Sequence, residues 1–389
     1  MVNMNNQPST EHWDIFCRVI DNFGDIGVCW RFARQLSAEH GLCVRLWLDD
    51  LSALKKIWPD ACLDAEQYLA GVYVHAWPDT FPLISVDDVA DVVVEAFACD
   101  IPDSYVMAMS QRPSPPRWFN LEYLSAEDWT QDYHALNSMH PKFTLNKTFF
   151  FPGFNQNTGG LLREKDLLFK RDQFQSNADI RTRTLNHFGI EPQANSLVVS
   201  LFSYENEALY DLLDSMKQSD RVVHCLIPDG KIRPQVEYWL NLDEMHEGEL
   251  YTSGQLHLQR LPFLQQDIYD TLLFCCDINF VRGEDSFVRA QWAARPFIWH
   301  IYPQQENAHL EKLEAFLNLY TKSLKDNEKQ TIRSIFLAWN QNLGASHLWQ
   351  EILDLLPIWK EHSQTWCQQL SSQPDLVENL VHFSRKPLY

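Results

Sequence analysis

The chain is poor in the features that would place it in a membrane, in an export pathway or on a nucleic acid. It has no run of about 18 apolar residues, the length a helix needs to cross a bilayer. Its opening residues, Met1 to Thr10, contain neither a basic stretch nor an apolar one, so the expectation is a soluble, unexported, cytoplasmic protein. Positive charge is scarce: 32 Lys and Arg stand against 52 Asp and Glu, a formal net charge of −20. A field of that sign opposes binding to nucleic acid and tolerates a cationic acceptor.

Metal and redox motifs are missing as well. The nine cysteines include no Cys-x-x-Cys pair and no zinc spacing, and their apolar surroundings suggest buried thiols in a reducing compartment. His-Glu-x-x-His, Walker A and Gly-x-Gly-x-x-Gly are all absent, and the 14 histidines are scattered. The expectation is therefore no metal and no nicotinamide dinucleotide.

What the chain does have is material for burial. At 389 residues with 45% hydrophobic content, 14 Trp, 23 Phe and 13 Tyr, it is too long for one ordinary core and rich enough for two. Strand-like apolar runs alternate with helical spacing in both halves, as in an α/β protein. The expected division is an N-terminal Rossmann-like domain over 1–165, a linker over 166–190, a second Rossmann-like domain over 191–355, and terminal helices over 356–389 that pack back towards the first domain.

One stretch organises the second half. Residues 277–302 read as a strand from Ile278 to Val281, a turn on Gly283, a helix from about Ser286 to Ala293 and a second strand from Pro296 to Ile301. A helix that starts just after a parallel strand offers free backbone N–H groups to phosphate, and Arg282 and Ser286 are placed to add a guanidinium and a hydroxyl. Glu284 and Asp285 would repel a pyrophosphate unless they serve a sugar or catalysis; alternatively, Asp285 or Ser286 is only a helix cap. Phe202, Tyr204, Phe263 and Tyr302 fall at strand ends, where they either hold a flat base or pack in the core.

The first half opens with a strand over 14–20, a turn Asp21-Asn-Phe-Gly-Asp-Ile-Gly27 and a helix over 28–38. Gly24 and Gly27 suggest positive φ and close approach of a ligand. Asp21 and Asp25 are either a turn former and a cap, or a carboxylate pair that orients a nucleophile and takes its proton.

Four segments together resemble one family. Asp21–Gly27, Leu261-Pro-Phe-Leu-Gln-Gln266, Arg282-Gly-Glu-Asp-Ser-Phe-Val-Arg-Ala-Gln291 and Trp299-His-Ile-Tyr-Pro-Gln304 closely resemble the bacterial elongation factor P arginine rhamnosyltransferases, the EarP family. The resemblance runs from Trp13 to Gln304. It implies a GT-B glycosyltransferase with two facing domains, whose terminal helices cross the domain boundary. It also implies inverting, metal-independent transfer of rhamnose from dTDP-β-L-rhamnose to an arginine of elongation factor P, without a cofactor and away from nucleic acid and membrane.

By the same resemblance Asp21 accepts the proton, Asp25 supports its loop and Glu284 is the second catalytic carboxylate. Donor contacts are implied for Asn22, Phe23, Gly24, Tyr204, Gln266, Arg282, Asp285, Ser286, Phe287, Val288 and Tyr302, with Phe202 and Phe263 flanking thymine. Asp21 and Glu284 are then expected to converge on the reactive sugar carbon. The alternatives are a GT-B enzyme for another nucleotide sugar and a small-molecule acceptor, or a catalytically silent nucleotide-binding protein.

Overall fold

The computed structural model describes residues 11–20, 23–193, 195–304, 307–342 and 346–386. The chain divides into two compact units. The first comprises Met1–Leu124, Trp129–Leu162 and Pro374–Tyr389; the second comprises Ser125–Asp128 and Arg163–Gln373.

In the first unit the elements run β1 (His12–Cys17), α1 (Gly24–His40), β2 (Cys43–Leu48), α2 (Leu51–Ile57), β3 (Glu66–Leu69), β4 (Val72–Ala76), β5 (Val92–Ala96), α3 (Asp103–Gln111), β6 (Arg117–Leu121), α4 (Trp129–Tyr133), β7 (Asn137–Met139) and β8 (Asn146–Phe150). The sheet order is β3-β4-β2-β1-β5-β6-β8-β7. Its six inner strands are parallel, and the edges β3 and β7 are antiparallel. Continuous apolar runs such as Val92-Val-Val, buried on both faces, suit a parallel sheet covered by helices on each side.

The second unit contains α5 (Leu167–Ser176), α6 (Ala178–His187), β9 (Leu197–Leu201), α7 (Ala208–Lys217), β10 (Val223–Pro228), α8 (Arg233–Leu240), β11 (Leu250–Ser253), β12 (Leu256–Leu261), α9 (Gln266–Cys275), β13 (Ile278–Arg282), α10 (Asp285–Ala293), β14 (Phe297–His300), α11 (Ala308–Tyr320), α12 (Asp326–Asn340) and α13 (Leu348–Ser371). Its sheet runs β11-β12-β10-β9-β13-β14, parallel except for β11. Both sheets share one plan. The first strand of each, β1 or β9, has its successor on one side and a later strand, β5 or β13, on the other. In open α/β sheets of this plan the loops at such a pair run to opposite faces, and ligands collect at the carboxyl ends of the strands there.

Several boundaries differ from those read in the sequence. β1 stops at Cys17 rather than residue 20, because Val19 N–H turns to Asp49 Oδ1 (2.9 Å) and Ile20 is solvent-exposed. α1 begins at Gly24 rather than 28, so Gly24 and Gly27 are helical and supply no left-handed turn.

The terminal block 356–389 is split. α13 packs Trp359 and Trp366 against Tyr320, Phe336 and Phe316 inside the second unit. The last helix, α14 (Leu376–Ser384), belongs to the first unit. There Leu376 N–H donates to Leu161 O (3.0 Å), and Phe383 meets Phe119 and Phe150 edge-on. All nine cysteines are free, and only Cys43 and Cys62 are other than buried. Among the described residues, no helix is long and apolar enough to cross a membrane.

The first unit buries an ion pair beneath its aromatic core. Asp14 on β1 is fully buried, receives Arg45 Nε at 2.5 Å and Nη2 at 2.7 Å, and also accepts the Tyr105 hydroxyl. Burial raises its pKa above the ordinary 3.8, against the opposing pull of Arg45 and its hydrogen bonds. An acid with a raised folded pKa favours the fold most below its unfolded value and loses that contribution as pH rises through the folded one. Arg45→Met leaves the carboxylate buried without its cation and is expected to cost about 3 kcal/mol at neutral pH. The loss, read from urea unfolding, should narrow as the pH falls towards 3.8 and Asp14 takes up its proton.

Candidate active site

The turn after β13 is closed by its own side chains. Gly283 takes φ 61°, a left-handed conformation that favours glycine. Arg282 N–H donates to Ser286 Oγ (3.0 Å), the Ser286 hydroxyl donates back to Arg282 O, and Trp299 Nε1 donates to Gly283 O (2.8 Å). Glu284 occupies the capping position of α10 without a side-chain cap bond, and Asp285 is the first helical residue. The Ser286 hydroxyl therefore serves the turn, while the amides of the first helical turn remain the natural anion ligands.

Arg282 is the centre of this edge. It is 8% exposed, and its guanidinium carbon lies 4.5 Å from the Phe202 ring centroid and 4.7 Å from that of Tyr204. Its Nε has no hydrogen-bond partner among the described residues. Phe202, the first residue after β9, also meets Tyr269 at 5.5 Å, and a Cβ added to Gly230 would come within 3.0 Å of its ring. Tyr204 contacts His300 and Tyr302 edge-on at 5.3 and 5.5 Å; Tyr302 is exposed.

Phe263 is half-buried in the loop after β12. That loop leads to Gln266, which opens α9 and donates through Nε2 to Asp285 Oδ2 (3.1 Å). Phe287 and Val288 are buried. The Phe287 ring stacks on Trp299 at 3.8 Å and Val288 N–H donates to Glu284 O at 3.0 Å, so both side chains are spent on packing.

Thus Phe202, Tyr204, Arg282 and Tyr302 form one continuous ring-and-cation cluster at the carboxyl ends of β9, β13 and β14. Gln266 and Asp285 pair at the N-termini of two helices. A buried pair beside this cluster escaped the sequence reading: Ser203 Oγ and His300 Nδ1 lie 2.7 Å apart. Burial lowers the His300 pKa to about 3, with His309 and Arg282 adding to the effect, so the imidazole is neutral at physiological pH. No motif announces this pair.

In the first unit the equivalent edge carries the segment between β1 and α1. Asp21 and Asn22 lie outside the described residues. Phe23 is the capping residue of α1, with Lys56 Nζ 5.5 Å from its ring, and Gly24 is the first helical residue. Asp25 is 2% exposed and ties the segment down, accepting Ile20 N–H at 2.8 Å and the Tyr123 hydroxyl at 3.0 Å. Tyr123 stacks on Phe97 at 4.3 Å.

Phe97 belongs to a loop after β5 in which three non-glycine residues, Phe97, Ala98 and Asp100, have φ of 56°, 52° and 55°. Ala98 N–H is held by Asn120 Oδ1 (3.0 Å) and Asp100 N–H by Glu95 Oε1 (3.1 Å). Backbone strain of this kind gathers at functional sites. Among the described residues, no group of three or more His, Cys, Asp and Glu side chains is placed to hold a metal ion.

Residues 13–385 match the family model described as "Elongation-Factor P (EF-P) rhamnosyltransferase EarP". The chain is 48% identical to a protein-arginine rhamnosyltransferase of Pseudomonas putida, covering 97% of this chain and 99% of the relative. It is 35% identical to one of Neisseria meningitidis, covering 98% of each.

A solved structure reported as the structural basis for EarP-mediated arginine glycosylation of translation elongation factor EF-P superposes with a TM-score of 0.70 at 37% identity. It covers 97% of this chain and 99% of the other. MurG of Acinetobacter baumannii superposes with a TM-score of 0.50 at 13% identity, covering 97% and 99%, a likeness of fold alone. The fold is that of the GT-B glycosyltransferases, and the chain belongs to the EarP family.

Proposed function

We propose that this protein transfers L-rhamnose from dTDP-β-L-rhamnose to an arginine side chain of translation elongation factor P in the cytoplasm, with inversion at the anomeric carbon and without a metal ion. The observation that carries the donor half of this reading is Arg282. A buried guanidinium backed by two aromatic faces, with an Nε that has no partner among the described residues and a helix N-terminus beside it, is a receptor for a diphosphate. Gln266, Asp285 and Tyr302 are candidates for the sugar and ribose hydroxyls, and Phe263 for the thymine face. Phe202, already stacked on Arg282, flanks the base from the other side.

The acceptor presents a chemical obstacle. A guanidinium has a pKa above about 12 and is not nucleophilic while protonated. A carboxylate with a pKa near 4 cannot remove that proton beforehand, because a mismatch of roughly 8 units costs about 11 kcal/mol. The proton therefore leaves as the bond forms. The guanidinium nitrogen attacks the anomeric carbon, the bond from that carbon to the diphosphate oxygen breaks, and its electron pair stays on dTDP. The proton passes to Asp21.

One displacement of this kind inverts the centre. Asp21 also aligns the planar guanidinium through paired hydrogen bonds, and Asp25 holds its loop. Glu284 stabilises positive charge on the sugar, and Arg282 with the α10 amides stabilises the departing diphosphate.

Incubating elongation factor P with this protein and dTDP-β-L-rhamnose should add one deoxyhexose, located on arginine by fragmentation mass spectrometry. No gain in mass with this donor, alongside transfer from a different nucleotide sugar, would reject the donor assignment. In single-turnover assays Asp21→Asn and Glu284→Gln should each slow transfer by about 10²-fold or more, with dTDP affinity little changed. Arg282→Gln should instead weaken dTDP by about tenfold or more in calorimetry, since it removes a charge-assisted contact.

A further inference from the structure

Helices α9 and α10 are joined by two polar rungs. The upper rung is the bond from Gln266 Nε2 to Asp285 Oδ2 at 3.1 Å, between the first residues of the two helices. The lower rung joins Arg289 to Asp270 through two parallel bonds, Nε to Oδ1 at 3.0 Å and Nη2 to Oδ2 at 2.6 Å. Each lower residue follows its upper partner by four positions, about one helical turn, so both rungs run along the same face of each helix. Arg289 is 2% exposed and Asp270 5%, and the remaining guanidinium nitrogen, Nη1, donates to Glu164 Oε2 at 2.7 Å.

Stability alone is a poor reason for this arrangement. Two apolar side chains of similar volume would fill such a site at no greater cost, because burying a charge pair forfeits hydration that the pairing only partly returns. What the fork-to-carboxylate geometry supplies is definition. Two parallel bonds fix both the separation and the rotation of the helices that carry them. Without the lower rung, α9 and α10 can roll against each other, and the first residues of both helices move with them.

We propose that Arg289 and Asp270 are positioning residues for the nucleotide-sugar donor: their forked pair sets the roll of α9 on α10 and so holds Gln266 and Asp285 in register at the binding edge. The proposal rests on the reading of that edge as the donor site. Arg289 does not touch the donor; it acts through the upper rung.

The test uses Arg289→Lys, which keeps the charge and loses the fork, and the milder Asp270→Asn in case the first variant folds poorly. Both are compared with the unmodified enzyme in dTDP calorimetry, in kinetics varied separately in donor and acceptor, and in amide hydrogen exchange. Each should weaken dTDP and raise the donor KM by about tenfold, within the range that small misplacements of binding groups produce. The acceptor KM should stay unchanged, and exchange in the first turns of α9 and α10 should quicken even without ligand.

In a Gln266→Ala background, where the upper rung is already gone, Arg289→Lys should add little to the loss of dTDP affinity. An equal penalty in both backgrounds, an unchanged donor KM or unaltered exchange in those turns would overturn the proposal. An unmodified enzyme that binds no dTDP would count against the donor reading instead, and the exchange experiment would still judge the rung.

Discussion

A buried cation that its own fold only partly compensates governs the second unit. Taking a guanidinium out of water costs several kcal/mol unless charge, hydrogen bonds or ring faces replace the hydration. At Arg282 the rings of Phe202 and Tyr204 supply some of that, but its Nε is left without a hydrogen bond among the described residues. The elements around it are arranged so that an anion can complete the set. β13 delivers the residue to the carboxyl edge of the sheet, Gly283 turns the backbone, and the N-terminus of α10 starts beside it. The neighbouring imidazole of His300 is neutral chiefly because it is buried, and His309 and the Arg282 charge push its pKa the same way.

The organising stretch was legible because its pattern and its turn chemistry agree. Ile278–Val281, Gly283 and the helix to Ala293 were placed to within a residue, since a continuous apolar run, a glycine and a new helical period each have one structural reading. The segment from Asp14 to Gly27 was harder. Apolar residues continue at Val19 and Ile20 past the true end of β1, and two glycines look like a turn, yet Gly24 opens α1 and Gly27 lies in its first turn. The antiparallel edges β3, β7 and β11 are short and partly exposed and carry little periodic signal.

The site was legible as a set of residues and less so as a set of contacts. The family motifs assembled Arg282, Asp285 and Gln266, but no pattern said that the Ser286 hydroxyl would close the turn or that the Phe287 ring would stack on Trp299. Partnerships between distant residues, such as Ser203 with His300 or Asp25 with Tyr123, depend on which strands become neighbours, and sequence spacing does not carry that information. One clue was present: the four-residue steps from Gln266 to Asp270 and from Asp285 to Arg289 place two polar pairs on matching helix faces.

The return of the chain to its first unit has a consequence for biosynthesis. α14 supplies Phe383 to the aromatic contacts of Phe119 and Phe150, and Asn379 donates to Gly159 O at 2.9 Å. Those partners are made long before α14 leaves the ribosome, with Arg163–Gln373 of the second unit synthesised in between. The amino-terminal half therefore waits, incompletely packed, for Leu376–Ser384. A premature stop near residue 373 would injure the part of the protein translated first, although every missing residue lies at the other end.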